Sequence, residues 1–548
     1  MVPFKELPKD AYQALEDIVD SENISQDPAI LDSYAFSLNG ELVSRDGSKF
    51  MPRPAAVILP GSTEEVQAIV RVCNRYKIKF KAFSAGWAFV GIAAPFEEGM
   101  LQIDLRRMDH ILEIDEKNMF AVVEPYVIGT TLQAEAMKLG LNTHLIGAGS
   151  NCSPLASACA GAGPGGDTIF MGYSPQNLLA LEWVMPTGEI LRTGALGSGC
   201  GWFCGEGPGP STRGAFRGMQ GSSWGLGVFT KCALKLYPWP GPAVMPVEGT
   251  VPAYNSPLPD NFSAYTVAFP DWDAYFEANY KLFNAEIAYN AYKQYILFGE
   301  ELQAAMVRIL TDPTKQLDDL EELLKKPEIQ KMTEKMRRSF QIILAGMTQR
   351  DKEYKEKALD EILAETGGRK VPELSEPLMR NWTLLYLMRL CFKNINYVWG
   401  GYIGGFVHGG TPDFAKSWYP LAIELKGKFL KEKRGLVDGG ADTLVCALGS
   451  IGSGGGASAE QFTQYDPTDP ESVKVALEFL ASSRKVGREH KLGGGLLDWH
   501  PLYKEKMQQV LSAASRPAIF HWQGRIKQAF DPNDLGDTSW PYLEESKK

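Results

Sequence analysis

The chain has 548 residues, 44% hydrophobic and 22% charged, a globular balance too long for one ordinary core, so two or more domains are expected. Sixty-six acidic against 56 basic side chains leave a formal net charge of −10, which argues against a dedicated binder of nucleic-acid phosphates and implies a solvated acidic surface. The polar start MVPFKELPKD, with no run near the roughly 18 apolar residues of a membrane helix, predicts a soluble, cytoplasmic protein.

Residues 10 to 50, opening with DAYQALEDIVDSENI, predict a helical N-terminal arm ending in polar turns. AAVILP is a short apolar strand closed by a Pro-Gly turn. Ser62 or Thr63 can cap the helix that follows, Glu64 and Glu65 suit its first turn, and Val66, Ile69, Val70 and Cys73 fall at helical spacing. A second strand, IKFKAF, runs into the uncharged small-residue stretch FSAGWAFVG, and a third, MLQIDL, follows. ILEID, the polar tip EKN and FAVVEP alternate as a hairpin; the helix TTLQAEAMKLGL then ends at a glycine. Residues 147–228 are rich in glycine and alanine, with the strand pair NLLALEWVMPTGEILRTG set among them. Beyond the proline cluster YPWPGP the composition changes. LDDLEELLKKPEIQKMTEKMRRSFQIILAG predicts surface helices, and YVWGGYIGGFV and DTLVCALGSI predict short strands. The tail from Gly487 is distinct and ends in a helix, RIKQAFDPNDLGD.

Eight cysteines are scattered, and only Cys200 and Cys204 lie close together, so the pattern favours buried free thiols over a zinc or iron–sulfur site. GAGPGG at 161–166 matches G-x-G-x-x-G literally. A dinucleotide fingerprint needs that pattern between a strand and a helix. Here SPLASACA precedes it and DTIFMGYSPQN follows, while Glu182 lies within a strand, so the fingerprint is rejected. FSAGWAFVG suits a diphosphate instead, because backbone N–H groups of Ser84, Ala85, Gly86, Trp87 and Ala88 can approach phosphate oxygens with little side chain in the way.

The order of these pieces resembles the FAD-binding family named for vanillyl-alcohol oxidase and p-cresol methylhydroxylase, which includes glycolate and D-lactate dehydrogenases. AAVILPGSTEEVQAIV resembles the family's opening strand and helix, and FSAGWAFVG its pyrophosphate loop. IDLRRMDHILEIDEKNMFAVVEPYV, GLNTHLIGAGS, ASACAGAG, NLLALEWVMPTGEILRTG and RGAFRGMQGSSWGLGVFTKCALKLYPWP follow in the family's order. The likeness is dense over 50–240 and loose over 487–540. The chain departs from the family pattern at Phe83, Trp87-Ala88, Ala156-Ser157 and DLGD.

The resemblance implies an α+β fold: a two-subdomain FAD-binding domain over 50–240 and an α+β cap over 241–487. An N-terminal helical arm over 1–49 and a return segment over 488–548 packing on the FAD domain complete it. The implied cofactor residues are Ser84, Ala85, Gly86, Trp87, Ala88, Gly149, Ser150, Ser157, Ala160, Gly161, Gly225 and Val228. No metal is assigned, although His490 and His500 stand ten residues apart and the H-G-D-G-N-x-H type of stretch is missing. The phenol-oxidising branch holds a phenolate with tyrosines and an arginine. Among the dense cap aromatics, which include Tyr289 and Tyr292, the pocket candidates are Tyr397, Tyr402, Arg389 and His408, the last also a candidate flavin tether. His110 and His144 are taken as structural. The implied activity is FAD-dependent hydride removal from an aromatic alcohol or 4-alkylphenol. Its electrons would pass to a separate electron-transferring flavoprotein, cytochrome or iron–sulfur subunit. A 2-hydroxyacid dehydrogenase and a non-catalytic or electron-relay flavoprotein subunit remain open.

Overall fold

The computed structural model describes residues 5–37, 39–44, 46–85, 94–95, 97–146, 151–160, 164–194, 199, 201–202, 225–248, 256–294, 314, 322, 325–377, 380–381, 383–384, 388, 401–433, 435–437, 443–448, 455–491 and 517–536. The chain enters through α1 (Lys9–Val19), β1 (Ile24–Ser25), α2 (Pro28–Ala35) and α3 (Gly40–Val43). It continues through β2 (Ala56–Ile58), α4 (Thr63–Tyr76), β3 (Phe80–Phe83) and β4 (Leu101–Asp104). The strands lie in the order β1-β2-β4-β3, with β2 and β3 parallel to β4. Helix α4 begins where sequence signals place it: the Ser62 hydroxyl accepts the Glu65 N–H at 3.1 Å. Val66, Ile69, Val70 and Cys73 are fully buried in one core with Ala11, Leu15 and Val19 of α1. The N-terminal arm is therefore built into this layer, and Ile24 pairs with Ile58 at the edge of the sheet.

A second sheet follows, from β5 (Ile111–Asp115), β6 (Phe120–Val123), α5 (Gly129–Lys138), β7 (Leu141–Asn142), α6 (Pro154–Ala160), α7 (Thr168–Met171), β8 (Leu178–Val184), β9 (Ile190–Arg192), β10 (Val228–Lys235) and β11 (Tyr237–Pro238). Its strand order, β5-β6-β10-β8-β9, is antiparallel throughout. Gly188, at φ 85°, makes the β8–β9 turn. The rejected fingerprint is flanked by helices α6 and α7, not by a strand and a helix. Glu182 is buried inside β8, where it accepts hydrogen bonds from Thr63 Oγ1 at 2.7 Å and Arg192 Nε at 2.9 Å and pairs with Lys231 at 2.9 Å. That cluster ties α4 of the first layer to the second sheet.

The cap comprises β12 (Phe262–Ala268), α8 (Trp272–Asn284), β13 (Ala288–Gln294), α9 (Pro327–Met336), β14 (Ser339–Ala345), α10 (Gln349–Thr366) and β15 (Arg369–Lys370). It continues with β16 (Gly401–Gly410), α11 (Pro412–Glu432), β17 (Leu436–Val437), β18 (Thr443–Leu448), β19 (Gly455–Tyr465) and α12 (Pro470–Glu489). Among the described residues one large sheet runs β15-β12-β14-β13-β18-β19-β16, with β17 on β19. The stretch SFQIILAG, expected among surface helices, is the buried strand β14. One sheet face (Val267, Ala291, Ile342) packs with side chains of α8, α10 and α11, including Tyr275, Leu359 and Tyr419. The other face (Ala264, Tyr292, Ile343) packs with Met171, Tyr237 and Trp239 of the preceding domain. The last described helix, α13 (Pro517–Phe530), ends before Asp531-Pro532 instead of spanning RIKQAFDPNDLGD, and Phe530 lies 5.3 Å from the Trp183 ring.

Candidate functional site

The residues assigned to the cofactor from sequence fall in three glycine-rich or small-residue segments. Ser84 and Ala85 leave the carboxyl end of β3 half-buried, the edge of a parallel sheet where ligand crevices form. Gly86, Trp87 and Ala88 lie outside the described residues. The rim of this edge is fixed by Asp104 at the end of β4. Its carboxylate accepts the Tyr34 hydroxyl and, at 2.8 Å, Arg106 Nε. Burial, and then the bond to Asp104, push the Tyr34 hydroxyl above its ordinary value, so it stays a proton donor.

In the second turn Gly149, Ser150 and Gly161 lie outside the described residues, while Ser157 and Ala160 sit on α6. Ser157 is buried and donates to the Ser153 carbonyl at 2.8 Å. In the third, Gly225 (φ 64°) and Gly227 (φ 112°) use the left-handed region and lead to Val228. Val228 is fully buried, with its side chain in the core below the first sheet. A cofactor contact at 228 would therefore come from backbone alone.

Against α6 lies a small cleft of about 20 Å³ lined by Gly129, Thr143, His144, Leu145, Ile146, Cys152, Pro154, Ser157, Ser174, Asn177 and Leu234. The lining offers three hydroxyls, an amide and aliphatic walls, with no lysine or arginine among the described residues. This uncharged lining suits a neutral group better than a bare anion. Burial pushes the Cys152 thiol up to about 12, so it lines the wall as a protonated thiol. His144, expected to be structural, forms part of this wall. Its Nδ1 lies 2.5 Å from Asp167 Oδ1, and Asp167 Oδ2 accepts the Leu145 N–H at 2.8 Å. His144 and Asp167 are 23 residues apart in sequence, and no motif spacing links them.

The cap closes over this pair. The Ala291 N–H donates to the Gly166 carbonyl at 2.8 Å, and a Cβ on Gly166 would stand 2.4 Å from Asn290 Oδ1. Helix α7 packs against β13 and β18. Of the cap candidates, Arg389 and Tyr397 lie outside the described residues; Tyr402 and His408 are both on β16. Six residues along one strand separate their backbones by about 20 Å, too far for one small substrate to reach both. His408 pairs with Ser458 and Ser458 with Val445. Tyr402 pairs with Gln464, opposite Val437 of β17 and away from β18. Tyr289 and Tyr292 are buried in the aromatic seam between cap and preceding domain. Burial pushes the Tyr289 hydroxyl up; it donates to the Pro238 carbonyl at 3.2 Å. His110 is exposed and bonded to Glu124 at 2.9 Å. His490 is exposed, and His500 lies outside the described residues. Among the described residues no three His, Cys, Asp or Glu side chains gather as a metal site.

Residues 54–194 match the family model described as FAD binding domain. The chain is an FAD-binding flavoprotein. The chain is 32% identical over 178 residues to an uncharacterized FAD-linked oxidoreductase of Mycobacterium tuberculosis, covering 32% of this chain and 37% of the relative. It is 30% identical over 206 residues to the 4-cresol dehydrogenase [hydroxylating] flavoprotein subunit of Pseudomonas putida, covering 36% of this chain and 37% of the relative. These alignments thus span well under half the length of the curated relatives. The crystal structure of p-cresol methylhydroxylase with substrate bound superimposes with a TM-score of 0.72 at 20% identity, covering 97% of this chain and 96% of that one. The α+β flavoprotein fold, FAD domain and cap together, is shared over nearly the whole chain. No described helix is long and apolar enough to cross a membrane.

Proposed function

We propose that this flavoprotein is an oxidoreductase that removes a hydride from a small organic substrate, an aromatic alcohol or 4-alkylphenol, and passes the electrons to a separate acceptor. The observation that carries the reading is the His144–Asp167 pair on the FAD domain, next to the point where Ala291 of the cap sheet bonds the Gly166 carbonyl. The phenolic substrate class is supported by the 4-cresol dehydrogenase name of a relative, and the separate acceptor by its description as a flavoprotein subunit. Domain limits of 50–240, 241–487 and 488–548 go with this reading.

Residues 84–88, the 149–161 segment and Gly225–Val228 would hold FAD through backbone groups and small side chains. When bound, FAD supplies the hydride acceptor at N5. The chain's own work is to orient the substrate and manage its proton. Asp167 holds His144 in one orientation through Nδ1, which leaves Nε2 as the ring nitrogen that would take the substrate hydroxyl proton. Arg389 and Tyr397, with either Tyr402 or His408, would steady a phenolate, the last two standing about 20 Å apart along β16.

The test is the visible spectrum of the purified protein, followed by anaerobic addition of alkylphenols, aryl alcohols and 2-hydroxyacids. Flavin bands that bleach with a phenol or aryl alcohol support the reading. Bleaching by hydroxyacids alone moves the protein to the 2-hydroxyacid class. A stable flavin that no substrate bleaches makes it a relay subunit. His144→Gln is expected to keep its flavin and slow bleaching by about 100-fold.

A further inference from the structure

The C-terminal return carries an ion pair that the proposed reaction leaves unused. Lys527 on α13 and Asp531 just beyond it have side-chain exposures of 3% and 1%. Besides Asp531, Lys527 Nζ donates to the Gly225 carbonyl at 3.0 Å and the Gly536 carbonyl at 2.7 Å. Asp531 in turn accepts the N–H groups of Leu535 at 3.1 Å and Gly536 at 2.8 Å. Burying two charges is an inefficient way to stabilise a fold, because apolar replacements of similar volume are often as stable. What the pair does achieve is a fixed position for two backbone segments, Gly225 and Leu535–Gly536, the second of which meets Phe80 of β3.

Those segments are the ones that matter for the cofactor. Gly225 opens the third turn, and a Cβ on Gly536 would stand 2.0 Å from the Gly225 carbonyl oxygen, so the two backbones are in direct contact. On the other side, Phe80 N–H donates to the Leu535 carbonyl at 2.9 Å, and Phe80 bridges in parallel to Gly536. Phe80 begins β3, which delivers Ser84 and Ala85. Residues 531–536 therefore join the strand that feeds one FAD turn to the glycine that opens another.

We propose that Lys527 and Asp531 are positioning residues for FAD, a clasp that sets the spacing between the turn after β3 and the Gly225–Val228 turn so that the cofactor can bind across both. They act through Gly225, Leu535 and Gly536. The proposal rests on assigning those turns to FAD.

The test is FAD titration of the full-length apoprotein, followed by quenching of flavin fluorescence below the melting temperature. Lys527→Met is expected to raise the FAD Kd at least about tenfold. Phe530→Leu trims the neighbouring ring on Trp183 without touching the clasp; it is expected to lower the apoprotein Tm while keeping Kd within about threefold. A Lys527→Met Kd within threefold of the parent overturns the proposal. So does an equal rise in Phe530→Leu, which would mean the helix is merely structural. If Lys527→Met does not fold, the near-isosteric Asp531→Asn decides the matter: a rise of about fivefold or more supports the clasp and an unchanged Kd overturns it. Gly86→Val separates the two levels. Weakened binding there with none in Lys527→Met overturns the clasp alone, whereas unchanged binding in Gly86→Val overturns the turn assignment and the clasp with it.

Discussion

Cys152 lines the cleft, yet its chemistry is quiet. A thiol pushed up to about 12 by burial holds almost no thiolate at neutral pH. Iodoacetamide at about pH 8 should therefore leave the native Cys152 unmodified, as peptide mass mapping can check; ready alkylation would refute the protonated, buried thiol. Glu182 behaves in the opposite sense. Burial raises its carboxyl, but the bonds from Lys231, Thr63 and Arg192 together outweigh burial and hold it below its ordinary value. A carboxyl depressed in the folded chain stabilises above its unfolded value of about 4.3, and that contribution is lost as pH falls through the lower folded value. Glu182→Gln should cost about 3 kcal/mol near neutral pH by leaving Lys231 and Arg192 without their carboxylate. The Tm gap between parent and variant should shrink toward about pH 3; a gap constant with pH would refute the assignment. Residue chemistry of this kind was only partly visible in the sequence. Glu182 was placed inside a strand, but its partners Thr63, Arg192, Thr230 and Lys231 come from α4, β9 and β10. His144 carried no signal at all, because its partner Asp167 reaches it only through the fold.

At the scale of elements, the short-range signals held where several agreed. Helix α4 has a serine cap, two acids in its first turn and four apolar residues on one face, and all of them are used. Ser62→Ala should lower stability by about 1 kcal/mol, measurable by urea unfolding, with no change in flavin affinity. Strand β14 shows where such signals fail. SFQIILA follows a charged helical stretch, and a short apolar run has no periodicity that separates a buried strand from a helix. Only its neighbours β12 and β13, pairing on both sides, make it a strand. The C-terminal helix was similarly foreseen but overextended, since Pro532 disfavours helix at Asp531 and the chain turns there to form the clasp.

For the whole molecule, function depends on how the cap sits on the FAD domain. Gly166 lies directly against Asn290 of the cap sheet, so Gly166→Ala must displace Asn290 and should cost about 1–3 kcal/mol. The expected outcome is a lower Tm together with a shift in the bound flavin spectrum; a lower Tm with an unaltered spectrum would place the strain away from the cofactor. The sequence by itself determined the FAD domain, because a backbone that must approach a diphosphate needs glycine, alanine and serine at particular places between strands, and that need is written in consecutive residues. It also indicated a cap of mixed strands and helices. Only the tertiary structure decided that His144 meets Asp167, that Tyr402 and His408 stand too far apart to share one small substrate, and that the last described residues lock the Gly225 turn to β3. Those relations join residues from 6 to 455 positions apart, the widest being Phe80 and Leu535. Contacts at such separations, and distances along a paired strand, follow from strand order, register and packing, none of which a local pattern of side chains records.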